Sequence, residues 1–170
     1  MKKEENETGP DPRDLFDKKK YNTLLIGREG FTTGEQDLSD ELEVLFEANL
    51  SRERAEAIFD LIKIKGNAAF LVSVIRAMSS DEHKAILCAA CWESGLDFST
   101  EFLFFTELVC AEHYRLAMEA LTVLQSSENI PPVAMRDSCV SLLRSSKHHH
   151  TELVEEALSF FSGLSENTDG

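Results

Sequence analysis

The run Glu119-Ala120-Leu121-Thr122-Val123-Leu124 returns in altered form as Glu156-Ala157-Leu158-Ser159-Phe160-Phe161, and a related run, Leu87-Cys88-Ala89-Ala90-Cys91-Trp92, lies about 32 positions before the first. A spaced recurrence of small and large apolar residues constrains the fold strongly, because each copy must bury the same flank. A lone helix hairpin leaves one apolar face in water, whereas hairpins set side by side cover each other.

From Asp37 onward the apolar residues follow a helical period. Ser39 reads as an N-cap followed by Leu42, Leu45 and Phe46. Ser51 reads as the cap of a second helix with Ala55, Ile58, Phe59 and Ile62 on one face, ended by Gly66. A third helix is expected from about Asn67 to Met78, and Ser79-Ser80-Asp81-Glu82 reads as a capping box that starts a fourth, stopping near Gly95. Ser99 is expected to cap a fifth helix over about 100–111, with Phe98 stapled onto Leu103. A sixth covers about 113–126. Pro131-Pro132 opens a seventh, and Thr151-Glu152 begins an eighth that Gly163 closes. No convincing strand pair follows residue 37.

The expected fold is therefore all-α: antiparallel helix-hairpin repeats, about eight helices over residues 37–164, that either curve into a short α-solenoid or α-α superhelix or close into a bundle. Residues 1–36, rich in glycine, proline and charges of both signs, read as a disordered or loosely docked tail, and 165–170 as a disordered end. Within the tail, Tyr21-Asn22-Thr23-Leu24-Leu25-Ile26 is short and β-prone, suited to a strand, a docking segment or a linear motif, and to a tether if the domain caps a larger complex.

The inner-helix runs around Ala89, Leu121 and Leu158, with Arg136-Asp137 as a trace of the Asp-Arg positions, resemble the HEAT and armadillo class of helical repeats over roughly 67–162. That resemblance implies an extended protein-binding surface and no reaction. The stretch Cys91-Trp92-Glu93-Ser94-Gly95-Leu96-Asp97-Phe98-Ser99 is also similar to that of a small uncharacterised bacterial protein family, which implies no activity.

The net charge of −14 repels phosphate backbones and anionic membrane surfaces, so neither nucleic acid nor membrane is an expected ligand, and basic partners are favoured. No apolar region follows Lys2 and Lys3, and no window approaches the length of a membrane span; a cytoplasmic location is expected. Cys88, Cys91, Cys110 and Cys139 all fall in apolar helical stretches, where free buried thiols are the expected state.

Candidate chemistry is sparse. Cys88-Ala89-Ala90-Cys91 has the spacing of a redox or metal pair, yet it sits within a helix rather than at a helix start. His148-His149-His150 has the composition of a metal-binding loop, and equally of a solvated helix end. His83 and the Glu112-His113 pair read as helix-start residues. Glu41, Glu43, Glu47, Glu53, Glu56 and Asp60 form an acidic face. Phe102-Leu103-Phe104-Phe105 covers all sides of a helix, which is either enclosed or anchors a partner or second subunit.

These features point to a non-enzymatic protein–protein interaction, scaffold or adaptor module with no cofactor, its partner a protein or a second copy, and Phe102, Phe104, Phe105 and Trp92 as partner-binding candidates. The competing expectation is a metal- or thiol-dependent enzyme built on Cys88/Cys91 or His148–His150.

Overall fold

The computed structural model describes residues 33–147 and 149–166, and among them every regular element is helical. The elements are α1 (Thr33–Val44), α2 (Arg52–Lys65), α3 (Ala68–Ala77), α4 (Asp81–Ser94), a 3-10 turn at Ser99–Glu101, α5 (Phe102–Val109), α6 (Tyr114–Ser126), α7 (Val133–Ser145) and α8 (Thr151–Glu166). Tyr21–Ile26 and His148 lie outside the described residues, as do 1–32 and 167–170.

Local chemistry explains the starts of α2, α3 and α4. The Ser51 hydroxyl accepts the Arg54 N–H at 3.2 Å, Asn67 Oδ1 accepts the Phe70 N–H at 2.8 Å, and the Ser80 hydroxyl accepts the His83 N–H at 3.3 Å. Gly95 ends α4 at φ 66°, the left-handed conformation that glycine adopts without a Cβ clash.

Several expected boundaries move. Helix α1 starts at Thr33, so Ser39 is a buried residue inside it and residues 33–36 are helical. Leu38 and Leu42, four residues apart and both buried, carry the helix past that serine. The start of α4 is Ser80, one residue later than a Ser79–Glu82 capping box requires, which frees Glu82 to pair with Arg115. Ser99 caps nothing. Its N–H and hydroxyl both donate to Asp97, at 3.3 and 2.8 Å, and Phe98 packs edge-on against Phe105 rather than onto exposed Leu103. Gly163 does not end α8, which continues to Glu166 while Leu164 packs on the core.

The helices pair as neighbours, α1 with α2, α3 with α4, α5 with α6 and α7 with α8. Contacts also run along the series α2–α4–α6–α8, and α5 packs on α7. Side-chain bonds join consecutive hairpins: Trp92 to Glu119, Glu82 to Arg115, Gln125 to Glu156, Asn129 to Asp97, and His150 to the Glu112 carbonyl. The two residues of each bond lie 27, 33, 31, 32 and 38 positions apart, respectively.

The core is continuous from Leu38 to Phe161. At its centre Phe98 meets Phe105 at 5.4 Å between ring centroids, and Phe102 meets Phe161 at 6.1 Å, both edge-to-face. Buried Thr106 donates to the Phe102 carbonyl at 2.8 Å, which satisfies its hydroxyl within the helix.

Two outcomes follow. Phe105→Ala should destabilise the protein by about 3–5 kcal/mol in a chemical denaturation, because a fully buried ring leaves a cavity. Partial burial pushes the Asp97 carboxyl up, but the bonds from Asn129 and Ser99 outweigh it and hold the group below the usual carboxylate range. A carboxyl lowered in the folded state stabilises above its unfolded pKa, and that stabilisation disappears as pH falls through the folded value. The stability gap between the native protein and Asp97→Asn should therefore be open at neutral pH and close on acidification; a gap independent of pH would show that Asp97 contributes no charge-dependent stability.

Candidate interaction surface

Titratable groups converge between α4 and α6. Glu82, in the first turn of α4, pairs with Arg115 and lies 3.5 Å from His113 Nε2. His113 caps α6, its Nδ1 accepting the Leu116 N–H at 3.2 Å. One turn after Arg115, Glu119 accepts the Trp92 indole N–H at 2.8 Å, and the Arg115 Nε stands 3.8 Å from its other oxygen. Glu119 is buried, and the indole N–H and the nearby guanidinium compensate its charge. Each group is thus committed to a cap or an ion pair. The cluster fixes α4 against α6, and partly buried Trp92 is oriented by it.

On the outside of α6, Tyr114 and Met118 are one turn apart and expose 50 % and 37 % of their surfaces. His150, at the start of α8, holds the Tyr114 ring edge-on at 5.1 Å while its Nε2 meets the Glu112 carbonyl at 2.8 Å. Trp92, Tyr114, Arg115 and Met118 therefore belong to one pair of packed helices, α4 and α6, and α8 braces Tyr114. Between α7 and α8 lies a shallow groove of about 620 Å³, with Val140, Arg144 and Phe161 in its wall.

The aromatic residues expected to anchor a partner are placed differently. Phe102, Phe104 and Phe105 are buried within this chain, Phe104 beneath the Arg76 guanidinium at 4.5 Å from the ring centroid. Enclosure by α6, α7 and the 3-10 turn covers them, and Leu103 alone of that run faces solvent. None of the three phenylalanines is an exposed anchor. Trp92 is the one candidate of the original four with exposed surface.

Cys88 and Cys91 are fully buried, and burial pushes both thiols far up, towards the protonated form; the carboxylate of Glu119 adds to the effect at Cys88. The thiolate that nucleophilic or metal chemistry needs is strongly disfavoured at both. Of the histidine triplet, His149 is exposed and His150 is engaged with Glu112 and Tyr114. Among the described residues, no group of three or more His, Cys, Asp or Glu is arranged to hold a metal ion, and no helix is long and apolar enough to cross a membrane.

The buried roles of two residues escaped the sequence reading. Glu119 lies in the apolar row Leu116-Ala117-Ala120-Leu121-Val123, where a carboxylate on a core face marks a buried bond. Arg136, on α7, is only 7 % exposed, and its Nε and Nη1 have no hydrogen-bond partner. Burial of a charge without a partner costs on the order of several kcal/mol. Nothing in the spacing of the chain signals it.

With iodoacetamide at mildly alkaline pH, half-buried Cys110 should be alkylated first, and Cys88 and Cys91 only after unfolding, as read by peptide mass mapping. Rapid native labelling of Cys91 would show that its burial is wrongly described. Comparison with protein-family models, with curated proteins and with solved structures finds no match to this chain.

Proposed function

We propose that this chain is a non-enzymatic helical-repeat module, of the HEAT-like kind, that holds another protein on the face built by α4, α6 and the start of α8. The observation that carries this reading is the composition of that face: Trp92, Tyr114, Arg115 and Met118 on two packed helices. Tryptophan, tyrosine, methionine and arginine are the side chains enriched at protein interfaces, and they supply most of the binding energy there. The face is also preorganised. Glu119 orients the indole of Trp92, Glu82 pairs with Arg115, and His150 braces Tyr114, so little side-chain freedom is lost on binding.

Bonds between residues about one hairpin apart support the repeat reading, since the last three hairpins are tied each to the next by side-chain bonds. The overall charge of −14, with Glu82, Glu93 and Glu112 exposed around the face, favours a partner with basic residues at its rim.

A photo-crosslinking residue introduced at Met118 in the cells that express the protein should yield one discrete adduct, with Ala57 on exposed α2 as the control position. Tyr114→Ala with Met118→Ala should weaken the complex by roughly 2 kcal/mol or more, about thirtyfold, without lowering helicity. Light scattering on the purified chain identifies the case in which the partner is a second copy. A purified monomer that forms no adduct from Met118, or the same adducts from Met118 and Ala57, would defeat the proposal.

A further inference from the structure

The helices of the α4–α6 face carry more acid than they neutralise. Glu82, Glu93, Glu112, Glu152, Glu155 and Glu156 are exposed on or beside α4, α6 and the start of α8. The cations of these three helices are Lys84 and Arg115, and both are already tied, Lys84 to Asp81 at 3.0 Å and Arg115 to Glu82. Glu156 accepts the Gln125 amide of α6, so its column of α8, with Glu152 one turn earlier, borders α6. Gln125 stands seven positions after Met118, on the same flank as Met118 and Tyr114. Acid therefore borders the exposed apolar pair, and an occupant must bring several positive charges beside apolar side chains.

The chain itself contains such a segment. Lys18-Lys19-Lys20-Tyr21-Asn22-Thr23-Leu24-Leu25-Ile26 opens on the one run of three adjacent cations in the sequence and includes no carboxylate. Residues 33–166 hold 23 Asp/Glu against 10 Lys/Arg, so the acid of the chain is concentrated on the folded helices that this segment precedes.

Chain length permits the contact. Lys18 is 15 residues from Thr33, the start of α1, and reaches about 50 Å at full stretch. Helix α1 packs on α2, α2 on α4 and α4 on α6, so three interaxial spacings put α6 no more than about 30 Å from α1. The margin covers the length of a helix. A segment joined to the fold by a short linker is present at roughly millimolar effective concentration, well above a free basic partner.

We propose that Lys18–Ile26 of this chain is the resident occupant of the α4–α6 face, its lysines set against Glu112, Glu152 and Glu155 and its apolar residues against Tyr114 and Met118. An external partner gains the face by displacing it. This inference rests on the proposed role of that face and supplies its regulation.

The test uses the purified full chain with a photo-crosslinking residue at Met118, its internal crosslinks located by peptide mass mapping. Glu155 is a second labelled position and Ala57 on α2 the control. Crosslinks from Met118 and Glu155 should fall within residues 18–26, at a yield unchanged by dilution, which places the segment on its own chain. Lys18→Glu with Lys19→Glu and Lys20→Glu should lower the Met118 yield roughly tenfold, the combined loss of three exposed charge pairs. These positions precede α1, so helicity should not change. Adding Glu152→Lys and Glu155→Lys to the reversed tail should restore the crosslink, a rescue that only charge pairing explains. In cells the reversed tail should raise the yield of the Met118 partner adduct, because the face is vacated.

The two readings fail differently. A partner adduct in cells without any internal crosslink to residues 18–26 sinks the tail and keeps the face. An adduct missing in cells even with the reversed tail sinks the face. Equal tail crosslinks from Met118 and Ala57, a yield that falls on dilution, or an adduct yield indifferent to the tail would also overturn the proposal.

Discussion

Helix α5 is only eight residues long and carries apolar side chains around nearly its whole circumference, a combination with no stability in water. It exists because its neighbours enclose it. Phe102 is taken up against Phe161, Phe105 against Phe98, and Phe104 beneath Arg76, so each ring answers to a different element. The dependence runs both ways, since α6, α7 and α8 lose apolar cover when α5 is withdrawn. Regions that share buried surface in this manner unfold as one unit.

That enclosure also assigns roles to the aromatic residues. Rings used to hold hairpins together are spent on stability, and recognition falls to side chains left outside the core. On α6 the division follows the helical period: Leu116, Ala120 and Val123 face inward while Tyr114 and Met118 face out. Glu119 lies on the inward face with the first three, and its bond to Trp92 holds the indole of that partly buried residue.

The all-helical class was legible in the sequence because the period and the caps agreed. Ser51, Ser80, Gly66 and Gly95 stand where local chemistry places helix ends, and the structure uses each of them. Reading failed where a polar residue had more than one use. Ser39 has the character of a cap, but buried Leu38 and Leu42 lie on either side of it and the helix runs through. Ser99 satisfies itself on Asp97, an exchange invisible without knowing how the chain turns. Open space surrounds the position a Cβ would take at Gly163, and packing of Phe161 and Leu164 prevails over the weak helix propensity of glycine. The candidate surface was half legible: Trp92 was named, whereas Tyr114 and Met118 look in sequence like any other residues of an amphipathic helix. Buried charges such as Arg136 are written in tertiary contacts alone.

The cap of α6 ties that helix to α4. An imidazole that accepts the Leu116 N–H at Nδ1 does so only while that nitrogen is bare, which places the ring's single hydrogen on Nε2, towards Glu82. Glu82 thus serves two groups of α6 at once, the Arg115 guanidinium that it holds and the imidazole that closes the first turn, so loss of that single carboxylate from α4 reaches the cap and the ion pair together.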